Sequence, residues 1–154
     1  MMRILLTLIL CVVTPSAIAT GATHVDPLTR KQSAVLAELS QRSGLSGAEL
    51  TEILADCHVS QQSLYFCAWR DQIGSTLALQ RVLLDKRLKF PTCKAFMASR
   101  VERWADSRDR SCARSAKKEF GSGSMTPTAQ AICVTAETVK MATRLERRNG
   151  CMNP

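Results

Sequence analysis

The residues in this chain best able to do chemistry are its cysteines. Seven occur in 154 residues, and six of them, Cys57, Cys67, Cys93, Cys112, Cys133 and Cys151, lie beyond an N-terminal apolar run. An even count behind an export signal predicts three disulfides formed in an oxidising compartment. Metal binding would need thiolates and imidazoles at close, fixed spacing. There is no C-x-x-C, and the histidines are His24 and His58 alone, so neither a metal set nor a cofactor site is expected. Catalysis finds no constellation either. His58 follows Cys57, but an oxidised cysteine is no nucleophile. Thr135, Glu137 and Thr138 share a predicted helix and read as partners for neighbouring helices. No catalytic residues are assigned, and the chain reads as non-enzymatic.

Charge is the second chemical feature. The formal net charge is +8. Eleven basic residues fall between Lys86 and Lys118, opposed by Glu102, Asp106 and Asp109. Such a cluster could neutralise phosphates. An exported protein rarely meets nucleic acid, however, and no aromatic residues interleave to stack bases. The cluster predicts a solvated helix face, and the alternative is an adaptor whose basic face docks on an anionic envelope polymer or an acidic protein.

Residues 1–19 have the form of a signal peptide. Arg3 precedes the apolar run Leu5–Val13, and Ala17-Ile18-Ala19 supplies the small–x–small pattern read by signal peptidase. Cleavage is expected after Ala19, leaving a net charge of +7 because Arg3 is the one charged residue removed. The run is shorter than the roughly 20 residues a membrane span needs, so the protein is expected to be periplasmic or secreted, not membrane-spanning. Lipidation at Cys11 fits poorly, since bulky Leu10 precedes it and the cysteine sits inside the apolar run.

Periodicity then predicts the elements that must position the cysteines. Residues 20–56 read as a short helical extension. Val35, Leu36 and Leu39 sit at helical spacing, Gly44 stops the run, and Ser46-Gly47-Ala48-Glu49 forms a capping box ahead of a second short helix. Residues 57–154 read as three longer helices: Ser60 to about Arg87, Cys93 to about Lys118, and Thr126 to Asn149. Phe90-Pro91 and Gly121-Ser122-Gly123-Ser124 supply the breaks. No stretch alternates long enough for a strand. The predicted fold is all-α, an antiparallel three-helix bundle stapled by disulfides.

Antiparallel helices rise equally per residue, which places Cys67, Cys112 and Cys133 at one level. Cys93 and Cys151 fall at the opposite end. The expected bridges are Cys93–Cys151, Cys67–Cys112 and Cys57–Cys133, among 15 conceivable connectivities. The same level brings Asp71 opposite Arg108. A half-buried arginine needs a carboxylate, so an Asp71–Arg108 ion pair is expected, with Trp104 packed on the arginine stem. Asp109 neighbours that pair but points elsewhere around the helix, where solvation is an equal alternative, and Arg100, Arg103 and Arg110 read as the wet side of the same helix.

These residues also carry a family resemblance. Cys57…Ser60-Gln61-Gln62-Ser63-Leu64…Cys67-Ala68 is similar to the opening motif of the LprI-like lysozyme-inhibitor family of exported bacterial proteins. Trp104-x-x-x-Arg108-Asp109-x-x-Cys112, the glycine-rich connection, Cys133 and Thr138 follow in the family's order. The match spans about Cys57–Leu145. The chain departs from the family pattern at Ser75-Thr76, Gln80, Leu83, Ser107 and Met141, and Cys93 and Cys151 add to the usual four cysteines. The resemblance implies a helical, disulfide-stapled envelope protein that inhibits lysozyme by occluding its cleft. Charge runs against one class of target, since common animal lysozymes are basic and would repel a +7 partner; an acidic patch at Glu49, Glu52 and Asp56 would be the contact then.

Overall fold

Five helices are punctuated where the chain chemistry requires it. The computed structural model describes residues 27–150, and among them every regular element is helical. α1 spans Pro27–Ser43, α2 Gly47–Leu54, α3 Gln61–Lys89, α4 Lys94–Phe120 and α5 Thr126–Arg147. Gly44 ends α1 at φ 74°, a left-handed conformation that glycine adopts without a Cβ clash. Ser46 and Glu49 complete the capping box of α2. Ser60 Oγ accepts from the Ser63 amide at 3.0 Å and starts α3. Phe90 leaves helical geometry ahead of Pro91, and a short 3-10 turn, Pro91–Cys93, leads into α4. Pro127 sits in the first turn of α5, where its missing N–H has no bond to lose.

α3 is apolar on two sides because it is covered on two sides. Phe66 and Ile73 pack with Val35 and Leu39 of α1 and Leu50 of α2, with Tyr65 and Trp69 against them. Leu79 and Leu83 pack with Met97 and Val101 of α4 and Met141 and Leu145 of α5. Residues 27–56 of the extension are therefore part of the folded body.

The bundle has α5 in the middle. The α3 and α5 ends meet, since Lys86 Nζ donates to the Glu146 carbonyl at 3.0 Å and the Arg148 carbonyl at 2.5 Å; these two helices run parallel. α4 runs antiparallel to α5, with Cys112 bonded to Cys133. Contacts between α3 and α4 are few compared with those each makes to α5.

That arrangement corrects three expectations. Cys57 is bonded to Cys67 and Cys112 to Cys133, with Cα separations of 5.8 and 5.6 Å, not Cys67 to Cys112 and Cys57 to Cys133. Matching heights on α3 and α4 do not make neighbours when α5 lies between them. Cys57 instead reaches Cys67 because the segment joining α2 to α3 folds back along the first turns of α3. Asp71 does not meet Arg108 for the same reason. It pairs with Arg70 at 2.9 Å. Cys93 is buried and disulfide-bonded. The expected Cys93–Cys151 bridge, like the signal peptide 1–19 and its cleavage after Ala19, lies outside the described residues. No helix among the described residues is long and apolar enough to cross a membrane.

Candidate binding surface on α4 and α5

Trp104, Arg108, Asp109, Cys112, Cys133 and Thr138 converge on the seam between α4 and α5, whereas Cys57 and Ser60–Ala68 lie just before and along the start of α3. The Arg108 side chain keeps only 9% of its surface exposed. One guanidinium nitrogen donates to Thr138 Oγ1 at 2.7 Å, and the others donate to Asp109 Oδ1 at 2.8 Å. Thr138 is fully buried and donates in turn to the Val134 carbonyl at 2.6 Å. Its hydroxyl thus gives one hydrogen bond and accepts another, which satisfies a polar group in the core. The Trp104 ring lies 5.0 Å from the Arg108 guanidinium carbon, within cation–π range. Cys112–Cys133 closes the seam one turn beyond. Asp109, and not Asp71, is the carboxylate partner of Arg108 while remaining 53% exposed.

Away from the seam, α4 presents a cationic stripe. Arg103, Arg110, Arg114 and Lys117 recur at helical spacing and all are exposed. Asp106 stands three and four residues from the first two, the usual spacing for an ion pair. Among the described residues, the ion pairs involve Arg42, Arg70, Arg108 and Lys140, and none involves this stripe. Its charge is therefore left for solvent or a partner.

Arg100 departs from the wet-side expectation. It is half-buried, lies 5.9 Å from the Phe96 ring, and lines a cleft of about 240 Å³ between α4 and α5. Trp104, Met141 and Leu145 form the apolar part of that cleft, and Arg144 and Arg148 complete it. Counting from the α4–α5 turn would have found it, since Arg100 and Arg144 are equidistant in sequence from Ser122. A wider cleft of about 840 Å³ separates α1 and α2 from α5 over the Gly74, Ser75 and Ala78 side of α3.

The remaining polar candidates have structural partners. Thr135 Oγ1 donates to the Ala131 carbonyl and Glu137 pairs with Lys140. The His58 amide donates to Asp56 Oδ1 at 2.8 Å. Among the described residues no group of three His, Cys, Asp or Glu side chains could hold a metal ion. Ser46 hydrogen bonds hold the Glu49 carboxyl below its ordinary value, which is an end-cap effect at an exposed site.

The arrangement is suited to binding anions on a rigid, stapled surface. Compared with protein-family models, curated proteins and solved structures, the chain matches none.

Proposed function

We propose that this chain is an exported, non-enzymatic binding protein whose α4–α5 side docks on an anionic partner of the cell envelope. One observation carries the reading. The Arg103, Arg110, Arg114 and Lys117 stripe is exposed and forms no ion pair among the described residues, although Asp106 is within reach in sequence. Helix surfaces that serve only solubility mix both signs and pair them at this spacing. Unpaired like charges repel one another, and an anionic partner relieves that repulsion. The inward side of the same helix is pinned by Arg108–Thr138 and Cys112–Cys133, so the stripe is held rigid. The test is retention of the oxidised protein on an immobilised polyanion such as heparin. Elution by rising salt, and earlier elution of Arg110→Glu/Arg114→Glu, support the reading; absent or salt-independent retention removes it.

A second reading is lysozyme inhibition by occlusion. It is favoured by the convergence of Trp104, Arg108, Asp109, Cys112, Cys133 and Thr138, the second group of residues in the family resemblance, at one seam. An inhibitor needs only a complementary, preorganised surface. The pure protein should then lower muramidase turnover in a dose-dependent way, and no effect at large excess over several lysozyme classes would discard it.

A further inference from the structure

Almost all of the net charge sits at one end of the bundle. Residues 81–100 and 144–148 hold nine basic and two acidic side chains, a net of +7 out of the +8 of the whole chain. The two segments meet where α3 turns into α4 and α5 ends: Leu83, Met97 and Leu145 share one core cluster, and Lys86 Nζ donates to the Glu146 carbonyl. None of the nine cations forms an ion pair within the described residues. Helix capping explains only part of this excess. Cations in the last turns of α3 and α5 complement the helix dipoles. Lys94, however, opens α4, whose first turn holds no acidic residue and where a positive charge has the wrong sign. The same end is also apolar on its outside. Leu84, Leu88 and Phe96 are 56%, 73% and 42% exposed, so this is more than a solvated charge surface. Leu84 and Leu88 stand one turn apart on α3, and Phe96 lies just past the Pro91–Cys93 turn, its ring 5.9 Å from the Arg100 guanidinium carbon.

We propose that this end of the bundle docks on the surface of an anionic phospholipid bilayer, with its exposed leucines and Phe96 entering the headgroup region and its lysines and arginines among the phosphates. The inference goes beyond the α4 stripe and uses none of that stripe's residues. Charge and apolarity together select the partner. A soluble polyanion would neutralise the cations but leave Leu84, Leu88 and Phe96 in water. A bilayer surface supplies a plane of negative charge and, just beneath it, hydrocarbon. Lysine and arginine suit that boundary, because their alkyl stems lie along apolar surface while their charged ends reach the phosphates. A few apolar side chains partition weakly by themselves, so the charge makes attachment depend on the headgroup. Attachment is peripheral, since no helix among the described residues is long and apolar enough to cross a membrane.

The test is co-sedimentation of the oxidised protein with vesicles of phosphatidylcholine alone and of phosphatidylcholine containing about half phosphatidylglycerol. The protein is expected to sediment with the anionic vesicles, less so as salt rises, and to stay in solution with the neutral ones. Leu84→Gln/Leu88→Gln and Lys89→Glu/Lys94→Glu are each expected to weaken binding about tenfold or more. All four positions are exposed, so both variants keep the native unfolding midpoint. Binding that ignores headgroup charge, no binding to either vesicle, or undiminished binding in either variant overturns the proposal. Sedimentation velocity tests the rival occupant: a dimer that the leucine variant abolishes, without vesicle binding, assigns the face to a second copy instead. Heparin retention of the same proteins keeps this inference apart from the α4 reading. Absent vesicle binding with intact salt-sensitive retention sinks the bilayer assignment alone, and vesicle binding without retention sinks the α4 reading alone. Vesicle binding lost in Arg110→Glu/Arg114→Glu but kept in Lys89→Glu/Lys94→Glu moves docking to the stripe and overturns the proposal.

Discussion

Arg108 shows how a guanidinium is tolerated inside a small protein: it is hydrogen-bonded on both sides of its fork, by Thr138 in the core and by Asp109 at the rim. The Asp109 contact is half open to water and contributes little. Thr138, at 0% exposure, is the costly partner to lose. Arg108→Ala should therefore lower stability by about 1–3 kcal/mol, the range for a charged hydrogen bond plus lost stem packing. Arg110→Ala, on the open stripe, should stay within about 0.5 kcal/mol. Urea unfolding of the two variants checks the contrast, and equal small effects would contradict the architectural reading of Arg108. Glu49 gives a pH prediction at the same scale. Its carboxyl is held below the ordinary 4.5 by the Ser46 side-chain and backbone hydrogen bonds. A depressed folded value means that the capping contribution is complete above the unfolded value and fades as pH falls through the folded one. NMR titration should place Glu49 below 4.5, and Ser46→Ala should move it upward. An unchanged midpoint in that variant would reject the capping box as the cause.

Among the elements, the lead-in helices and the staples make separable predictions. Leu39 and Leu50 are fully buried against α3, so Leu39→Ala should destabilise by about 2–5 kcal/mol. A loosely attached extension would instead show almost no loss in thermal unfolding. Gly74 predicts the opposite sign. It lies inside α3, and an added Cβ would meet Val35 Cγ2 at 3.8 Å, an ordinary contact. Gly74→Ala should stabilise by about 0.5–1 kcal/mol; a lower unfolding midpoint would mean that α1 cannot accommodate the methyl group. The Cys112–Cys133 bridge closes a separation of 21 residues and should contribute about 3 kcal/mol through the unfolded state. Helix existence, the Ser46 and Ser60 caps and the Phe90-Pro91 break were legible because each depends on a few adjacent residues. The partners of Cys57, Cys67, Cys112 and Cys133 were not. Register along antiparallel rods follows from rise per residue, but which rods touch depends on lateral packing. Here α5 inserts its Thr138 and Cys133 side between α3 and α4, and one-dimensional spacing carries no sign of that. The pairing of Arg100 with Arg144 across the α4–α5 seam follows from the same count that aligns Cys112 with Cys133, since both pairs straddle Ser122 almost evenly.

For the whole molecule, two apolar clusters meet on α3, and α5 ties the third long helix to them. The product is a body that separates an inward seam, where Arg108 and Thr138 are hydrogen-bonded to one another, from an outward cationic surface on α4 that forms no ion pair among the described residues. Fold class was readable from the sequence because it follows from periodicity. The partner was not, because a charge run specifies the sign of a ligand and little else. The most direct measurement compares heparin retention and unfolding midpoint for the native protein and for Arg110→Glu/Arg114→Glu/Lys117→Glu. A rigid anion-docking stripe predicts that the variant elutes at clearly lower salt while its midpoint stays close to native. Unchanged retention with an unchanged midpoint would contradict it.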